Sequence, residues 1–257
     1  MSTVATQTVD VEENLIQSFC DVISDDLKLL ASLNGNELSA DSILQLKSID
    51  FPRHLGLLLS DPKAKPVLTT LNQTIRNWPE TLAEKTKDLL DMDFAGIYLN
   101  HAYRASPQES VWVDEENLAM QQSMFQVRDF YKRYGLEVEN WRIRPDDHLV
   151  TQLQLIAYVF SGEINTDDLK DIAQFLDEHL LRWIMSFAER AAMHCETDFY
   201  ASLVLLTAFY IEKLRDLLAE ILDEPRPTTE EIEQRMKPKV ESIIAPMKYM
   251  PGTQESW

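Results

Sequence analysis

Apolar residues recur at helical spacing along most of the chain. In the first stretch they lie three and four residues apart, which predicts the buried face of an amphipathic helix; they are Leu15, Phe19, Val22, Ile23, Leu27, Leu30 and Leu33. Asn34-Gly35 ends this stretch, because both residues tolerate the left-handed conformation that closes helices. The same pattern predicts further helices over residues 39–46, 63–75, 77–90, 114–134, 145–160, 167–194, 198–222 and 228–244.

Capping signals place the starts of three of these helices. Asn77 is followed by Pro79 and Glu80, so we expect a cap, a proline in the first turn and a capping-box acid. Acidic residues open the stretch that begins at Asp114, where they suit the positive end of a helix dipole. Pro145 stands directly before two further acids, which predicts a third start, with both acids in the first turn.

A less regular stretch separates the helices into two groups. Leu136 and Val138 alternate there with polar residues, a pattern compatible with a short extended link. We therefore predict an all-α fold, a single helical domain of two lobes joined by a hinge. Its parts are an N-terminal lobe at 1–135, the hinge at 136–147, a C-terminal lobe at 148–222, and an extension of one helix and a mobile tail at 223–257.

Composition supports the helices and limits the partners. The chain has only 6 glycines in 257 residues, whereas strand-rich folds need many tight turns. Its 24 basic and 43 acidic residues give a net charge of −19. Such a field repels phosphate backbones and anionic membrane surfaces, so we expect no nucleic-acid partner and no stable membrane insertion. It attracts a basic peptide, although solubility alone also explains the charge.

We expect a cytoplasmic protein with reduced thiols. Cys20 and Cys195 lie far apart and lack metal-ligand spacing. Residues 1–10 have neither the basic start nor the apolar core of a secretory signal. No uncharged run approaches the roughly 20 residues that span a bilayer.

The sequence contains no motif for catalysis or for a cofactor. It has no Walker loop, no GxGxxG and no GxSxG. No HExxH pair or similar arrangement occurs among the five histidines, which are His54, His101, His148, His179 and His194. The run from Asp177 to His179 could in principle meet a metal, but a solvated helix face is the simpler interpretation. We therefore expect no enzyme activity, no metal and no cofactor.

Two segments stand out as candidate binding elements. The first, residues 106–112, ends in Trp112, which either plugs the core or faces a ligand. The second lies at the predicted hinge and consists of Pro145, Asp146, Asp147 and His148. This hinge motif is either an ordinary helix N-terminus or, since an acid adjoins a histidine, a site for a basic or hydrogen-bonding ligand.

The order and spacing of short segments across residues 94–222 resemble those of the TorD/DmsD family of redox-enzyme maturation chaperones. The segments are Glu109-Ser110-Val111-Trp112, Phe130-Tyr131 through Gly135-Leu136, Pro145-Asp146-Asp147-His148-Leu149 with Leu153, His179-Leu180-Leu181-Arg182-Trp183 with Phe187, and Phe199-Tyr200. The resemblance implies a cytoplasmic chaperone that holds the twin-arginine leader peptide and the apoprotein of a molybdenum-cofactor oxidoreductase until its cofactor is inserted. It also implies that the peptide-binding site comprises Trp112, Pro145, Asp146, Asp147 and His148.

Three departures from the family pattern concern the client more than the fold. Arg144 stands where the family usually has glutamate, Val150 where it often has a small residue, and the chain continues further beyond Leu222. A chaperone for a non-exported enzyme subunit and a helical scaffold remain open as alternatives. A nucleotide-dependent enzyme has little support, because no phosphate loop is present. The predicted hinge is compatible with a monomer and with a domain-swapped homodimer.

Overall fold

The computed structural model describes residues 2–79, 81–100 and 102–237, with side chains from residue 16 onward. Within these ranges the chain forms eleven α-helices and no β-strand, which confirms the predicted all-α fold. The helices are α1 (Ser2–Gly35), α2 (Ala40–Ser48), α3 (Lys65–Asn77), α4 (Glu84–Phe94), α5 (Ser110–Val113), α6 (Gln122–Arg133), α7 (Leu149–Phe160), α8 (Thr166–Glu178), α9 (Ile184–His194), α10 (Asp198–Leu222) and α11 (Thr229–Met236).

Helix α7 lies at the centre of the fold. Among its side chains only Gln154 and Tyr158 are exposed. Helix α1 packs along α7, and α10 packs against α3, α8 and α9. The Ser24 hydroxyl of α1 donates to the Ala157 carbonyl of α7 at 2.8 Å. Since α1 and α7 come from opposite sides of the irregular stretch, the two halves share one hydrophobic core; the boundaries of the two lobes and the hinge remain a prediction.

The helix start predicted at Asn77 is wrong. Asn77 is the last residue of α3, and α4 begins only at Glu84. Trp78 takes an extended backbone conformation and packs its ring against Phe199, with centroids 5.2 Å apart. The chain leaves the helix axis at this half-buried ring, so Asn77 ends one helix and does not cap the next. The predicted capping acid, Glu80, lies outside the described residues.

The helix predicted from Asp114 begins eight residues later, at Gln122. The Asp114 Oδ2 atom accepts hydrogen bonds from the backbone N–H of Glu116 at 3.0 Å and of Leu118 at 3.2 Å. These bonds hold the chain in a turn, since short acidic side chains compete with the helix for backbone donors. Asn117 in this turn has a positive φ of 55°, which a helix excludes.

Two later boundaries also differ from the prediction. Helix α7 begins at Leu149 with His148 at its N-cap, so the acids after Pro145 precede the helix instead of occupying its first turn. The stretch 167–194 is broken into α8 and α9 by a 3₁₀ turn at Leu180–Arg182. By contrast, α10 begins and ends at the predicted residues.

The extension beyond α10 is fastened to that helix and carries α11. Arg226 pairs with Glu212 at 2.7 Å and with Asp216 at 2.9 Å. Thr228 and Glu231 form the capping box that starts α11. The rest of the predicted helix and the tail lie outside the described residues. Within the described ranges, none of the helices combines the length and the apolarity that crossing a bilayer requires.

Candidate functional site

The structure brings the four residues of the hinge motif together at the start of α7. Pro145, Asp146, Asp147 and His148 are all buried, and Asp147 is 0% exposed. Trp112 lies on the short helix α5 nearby and is half-buried. The motif is therefore shielded from solvent, and it affects the surface mainly through the more exposed side chains that it positions.

Asp147 joins the hinge motif to the loop before α6. Its Oδ2 atom accepts from the Ser110 backbone N–H at 2.9 Å and from the Ser110 hydroxyl. Its carbonyl accepts from the Glu109 N–H at 3.0 Å, while the Leu149 N–H donates to the Pro107 carbonyl at 2.8 Å. These antiparallel bonds tie residues 107–110 to the start of α7, and the carboxylate sits at the N-terminus of the short helix α5.

Burial raises the pKa of the Asp147 carboxyl. Removal from water is the largest cause, and the nearby Glu109 carboxylate adds to it, while the hydrogen bonds from Ser110 act in the opposite direction. The second oxygen, Oδ1, has no hydrogen-bond partner among the described residues. The site therefore favours the protonated carboxyl more than water does.

Asp146 makes a different contact, with Arg128 of α6. The Arg128 Nε atom donates to Oδ1 at 3.2 Å and its Nη2 atom donates to Oδ2 at 2.8 Å. This bidentate bond raises the pKa of the Arg128 guanidinium. The guanidinium carbon lies 5.4 Å from the Phe125 ring centroid and 5.3 Å from that of Trp141. We call Phe125, Arg128 and Trp141 the aromatic face.

The aromatic face is open to solvent. Phe125 is 47% exposed and Trp141 is 36% exposed. The Arg128 guanidinium contacts both rings, and the buried Asp146 carboxylate fixes that guanidinium. The Arg142 guanidinium also lies 5.3 Å from the Trp141 ring centroid. Sequence reasoning missed this group, although Phe125 lies off the buried stripe of α6, which includes Met124 and Val127.

His148 is the N-cap of α7. Its Nδ1 atom accepts from the Val150 N–H at 3.1 Å, which places the proton of a neutral imidazole on Nε2. The Thr151 hydroxyl lies 2.7 Å from the His148 carbonyl and 2.9 Å from the Asp146 carbonyl. The well-formed helix N-terminus is thus present, while the role of His148 toward a ligand remains a prediction.

A second buried polar group was not foreseen. Glu109 is fully buried, and its Oε1 atom shares a hydrogen bond of 2.9 Å with Nδ1 of His179. Gln152 donates from Nε2 to Glu109 Oε2 at 2.8 Å and to the Asp147 carbonyl at 3.2 Å. His179 also packs on Phe175, with ring centroids 5.1 Å apart. This group links α5, α7 and the end of α8 through one carboxylate.

The interpretation of residues 177–179 as a solvated helix face is wrong. All three side chains are buried, because the end of α8 packs into the core. Asp177 accepts from Nη2 of Arg215 at 2.8 Å, in addition to the contact between His179 and Glu109. Among the side chains that the structure describes, no group has the composition of a metal site.

Trp112 both packs on the core and borders a groove. Its Nε1 atom donates to the Ser106 carbonyl at 2.7 Å, and its ring meets Phe187 edge-on. Arg190 lies 4.9 Å above the ring centroid. With Leu181 and with Ile232 of α11, Trp112 lines a cavity of about 380 Å³. One side of the ring is thus available to a ligand.

Arg144 and Val150, the two departures from the family pattern at the hinge, both lie against Gly35 at the end of α1. Arg144 Nη2 donates to the Gly35 carbonyl at 3.1 Å. A Cβ atom at position 35 would lie 3.3 Å from both methyl groups of Val150. The cation of Arg144 is therefore directed to a helix C-terminus, which favours positive charge.

Comparison with known proteins agrees with the family resemblance. The family described as nitrate reductase delta subunit matches residues 62–189. The chaperone protein TorD of Vibrio cholerae serotype O1 is 26% identical over 76% of this chain and 91% of the relative. The probable Tat proofreading chaperone DmsD of Haemophilus influenzae is 31% identical over 39% of this chain and 47% of the relative. The chaperone protein YcdY of Escherichia coli is 26% identical over 67% of this chain and 96% of the relative.

An all-helical fold, matched to relatives named as chaperones, defines the class: this protein is a chaperone. More closely, the chain belongs to the TorD/DmsD family, as its sequence predicts.

Proposed function

We propose that this chain is a cytoplasmic chaperone for a molybdenum-cofactor oxidoreductase. It binds the leader peptide and the apoprotein of the client, and it keeps the client competent for cofactor insertion before twin-arginine export. The name of the Haemophilus relative, a probable Tat proofreading chaperone, supports this proposal.

The observation that carries the proposal is the aromatic face beside the hinge motif. A twin-arginine leader combines positive charge with an apolar stretch. Exposed aromatic rings offer that stretch apolar contact area, and a net charge of −19 raises the rate at which the cationic part arrives. The exposed rings lie next to residues 145–148, and the negative charge is a property of the chain as a whole.

The site residues divide by their exposure. In this proposal Trp112 touches the peptide directly, along the cavity that it lines. Pro145, Asp146, Asp147 and His148 are buried, so they act as positioning residues that hold helix α5, with Trp112, and the aromatic face.

Isothermal titration with a synthetic leader peptide, carrying two consecutive arginines and an apolar stretch, tests the proposal. We expect Trp141→Ala to weaken binding about tenfold or more, as loss of an exposed anchoring aromatic does. Met193→Ala is the matched control, since Met193 is 75% exposed on α9. Equal affinities of the wild type and both variants would contradict the proposed site, and no binding to the wild type would contradict the function.

A chaperone for a non-exported subunit is the second candidate, because the matching family is described by a nitrate reductase subunit. In that case the chaperone binds a client segment other than a leader. Co-purification of the client with and without its leader separates the two candidates: binding that survives deletion of the leader favours the second.

A further inference from the structure

Residues 136–139, between α6 and α7, form a short segment that we call the acidic link. Its side chains alternate in exposure: Leu136 and Val138 are half-buried, whereas Glu137 and Glu139 are exposed. Alternation with a period of two over residues 136–138 suits an extended backbone with one face on the protein, and a turn begins at Glu139. The link therefore presents two carboxylates outward at neighbouring exposed positions.

Most backbone N–H groups of the acidic link have no acceptor within the described part of the chain. The Leu136 N–H donates to the Tyr131 carbonyl at 2.9 Å, and the next backbone bond runs from the Ile143 N–H to the Asn140 carbonyl at 2.9 Å. Between them, the N–H groups of residues 137–139 donate to no protein acceptor there. A non-helical segment with unpaired N–H groups is a template on which a second strand can pair.

An apolar cavity opens directly beside the acidic link. It measures about 320 Å³ and lies between the link and α7. Its lining includes Leu136, Val138, Leu155 and Tyr158. Tyr158 is 51% exposed, although most of α7 is buried. Unpaired backbone N–H groups, an apolar cavity and two carboxylates thus lie together at residues 136–139.

We propose that the acidic link binds an extended peptide by strand pairing. The peptide's backbone bonds to residues 137–139, one apolar side chain enters the cavity, and basic side chains pair with Glu137 and Glu139. The alternation of contacts suits a peptide in which basic and apolar residues lie close together. This inference rests on the proposed function and specifies how the leader is held.

Charge-neutral variants test the carboxylates with the same synthetic twin-arginine peptide. The double variant Glu137→Gln/Glu139→Gln is expected to bind about threefold to tenfold more weakly at low salt, and the difference shrinks at high salt. Glu189→Gln/Glu220→Gln is the matched control, because it removes the same charge from exposed positions on α9 and α10. Equal weakening of both double variants would overturn a local role for the link.

Backbone pairing is tested by methylating the peptide at one amide nitrogen at a time. Strand pairing predicts that alternate positions weaken binding about tenfold, since each removes one hydrogen bond, while intervening positions do not. The amide protons of residues 137–139 should also become protected from hydrogen exchange in the complex. If the wild type binds the peptide but no methylated position weakens it, the inference fails and the proposed function stands. If the wild type does not bind it, both fail.

Discussion

Asp146 and Asp147 are adjacent and both buried, yet their carboxylates face different parts of the molecule. Asp147 points inward, to the Ser110 N–H and hydroxyl at the start of α5. Asp146 points outward, to the Arg128 guanidinium, which makes cation–π contacts with Phe125 and Trp141. Two consecutive residues of one motif therefore have separate tasks: Asp147 fixes the interior, and Asp146 fixes an exposed face.

The largest effect is expected from Asp147→Ala. It leaves the buried Ser110 N–H without its acceptor, which destabilises the fold by about 2–4 kcal/mol in urea unfolding followed by tryptophan fluorescence. Asp147→Asn keeps an oxygen for that N–H and should lose less than half as much. Equal losses in the two variants would show that the hydrogen bond is not what Asp147 supplies.

Asp146→Asn should have a smaller effect on stability and a clear one on binding. It leaves the Arg128 guanidinium without its carboxylate partner, which should lower the free energy of unfolding by about 1–2 kcal/mol. It also releases Arg128 from its fixed position beside the rings of the aromatic face. Leader-peptide affinity measured by titration should fall several-fold. The control is Asp129→Asn, which breaks an exposed pair with Lys132 and should change stability by less than about 0.5 kcal/mol. Unchanged affinity in Asp146→Asn would remove the link between Asp146 and the aromatic face.

The inward carboxyl predicts a dependence of stability on pH. The pKa of Asp147 is raised in the folded state above the unfolded value of about 4, so its contribution is complete below pH 4 and is lost as the pH rises toward the folded pKa. Asp26 acts in the same direction, because burial raises its pKa to about 6. Each unit of elevation corresponds to about 1.4 kcal/mol. The free energy of unfolding, measured with urea, should therefore fall less between pH 4 and pH 7 in Asp147→Asn than in the wild type. An equal fall in the two proteins would exclude a contribution of Asp147.

The smallest effect is expected from Arg144→Ala, which tests whether Arg144 belongs to either task. It removes a part-buried bond to the Gly35 carbonyl and should lower stability by about 0.5–1 kcal/mol. Leader-peptide affinity at raised salt should stay unchanged, because the side chain is directed to α1. A large loss of affinity at raised salt would place Arg144 in the binding surface.

The sequence predicted the helices where an apolar stripe decided them and missed boundaries that distant packing decided. The limits of α10 follow from its stripe and its flanking residues. The extended turn at Trp78 depends on Phe199, which lies far along the chain. No local pattern could predict that contact, so the capping signal at Asn77 was misleading.

The candidate site divides in the same way. The hinge motif could be found from residue types and spacing, but the partner of Asp147 is Ser110, 37 residues away. Glu109, next to Ser110, pairs with His179, 70 residues away. Their pairing depends on the packing of α5, α7 and α8. Only Phe125 left a local signal, since it interrupts the polar side of α6.

The packing of α1 along α7 has a consequence for how copies of this chain would exchange parts. These helices lie on opposite sides of residues 136–144, so a swapped dimer would rebuild the same contact between two chains. Monomer and dimer would then bury the same helix faces and differ mainly in the connecting stretch. Since interconversion requires that contact to open, the two forms should exchange slowly, and each should survive separation by size.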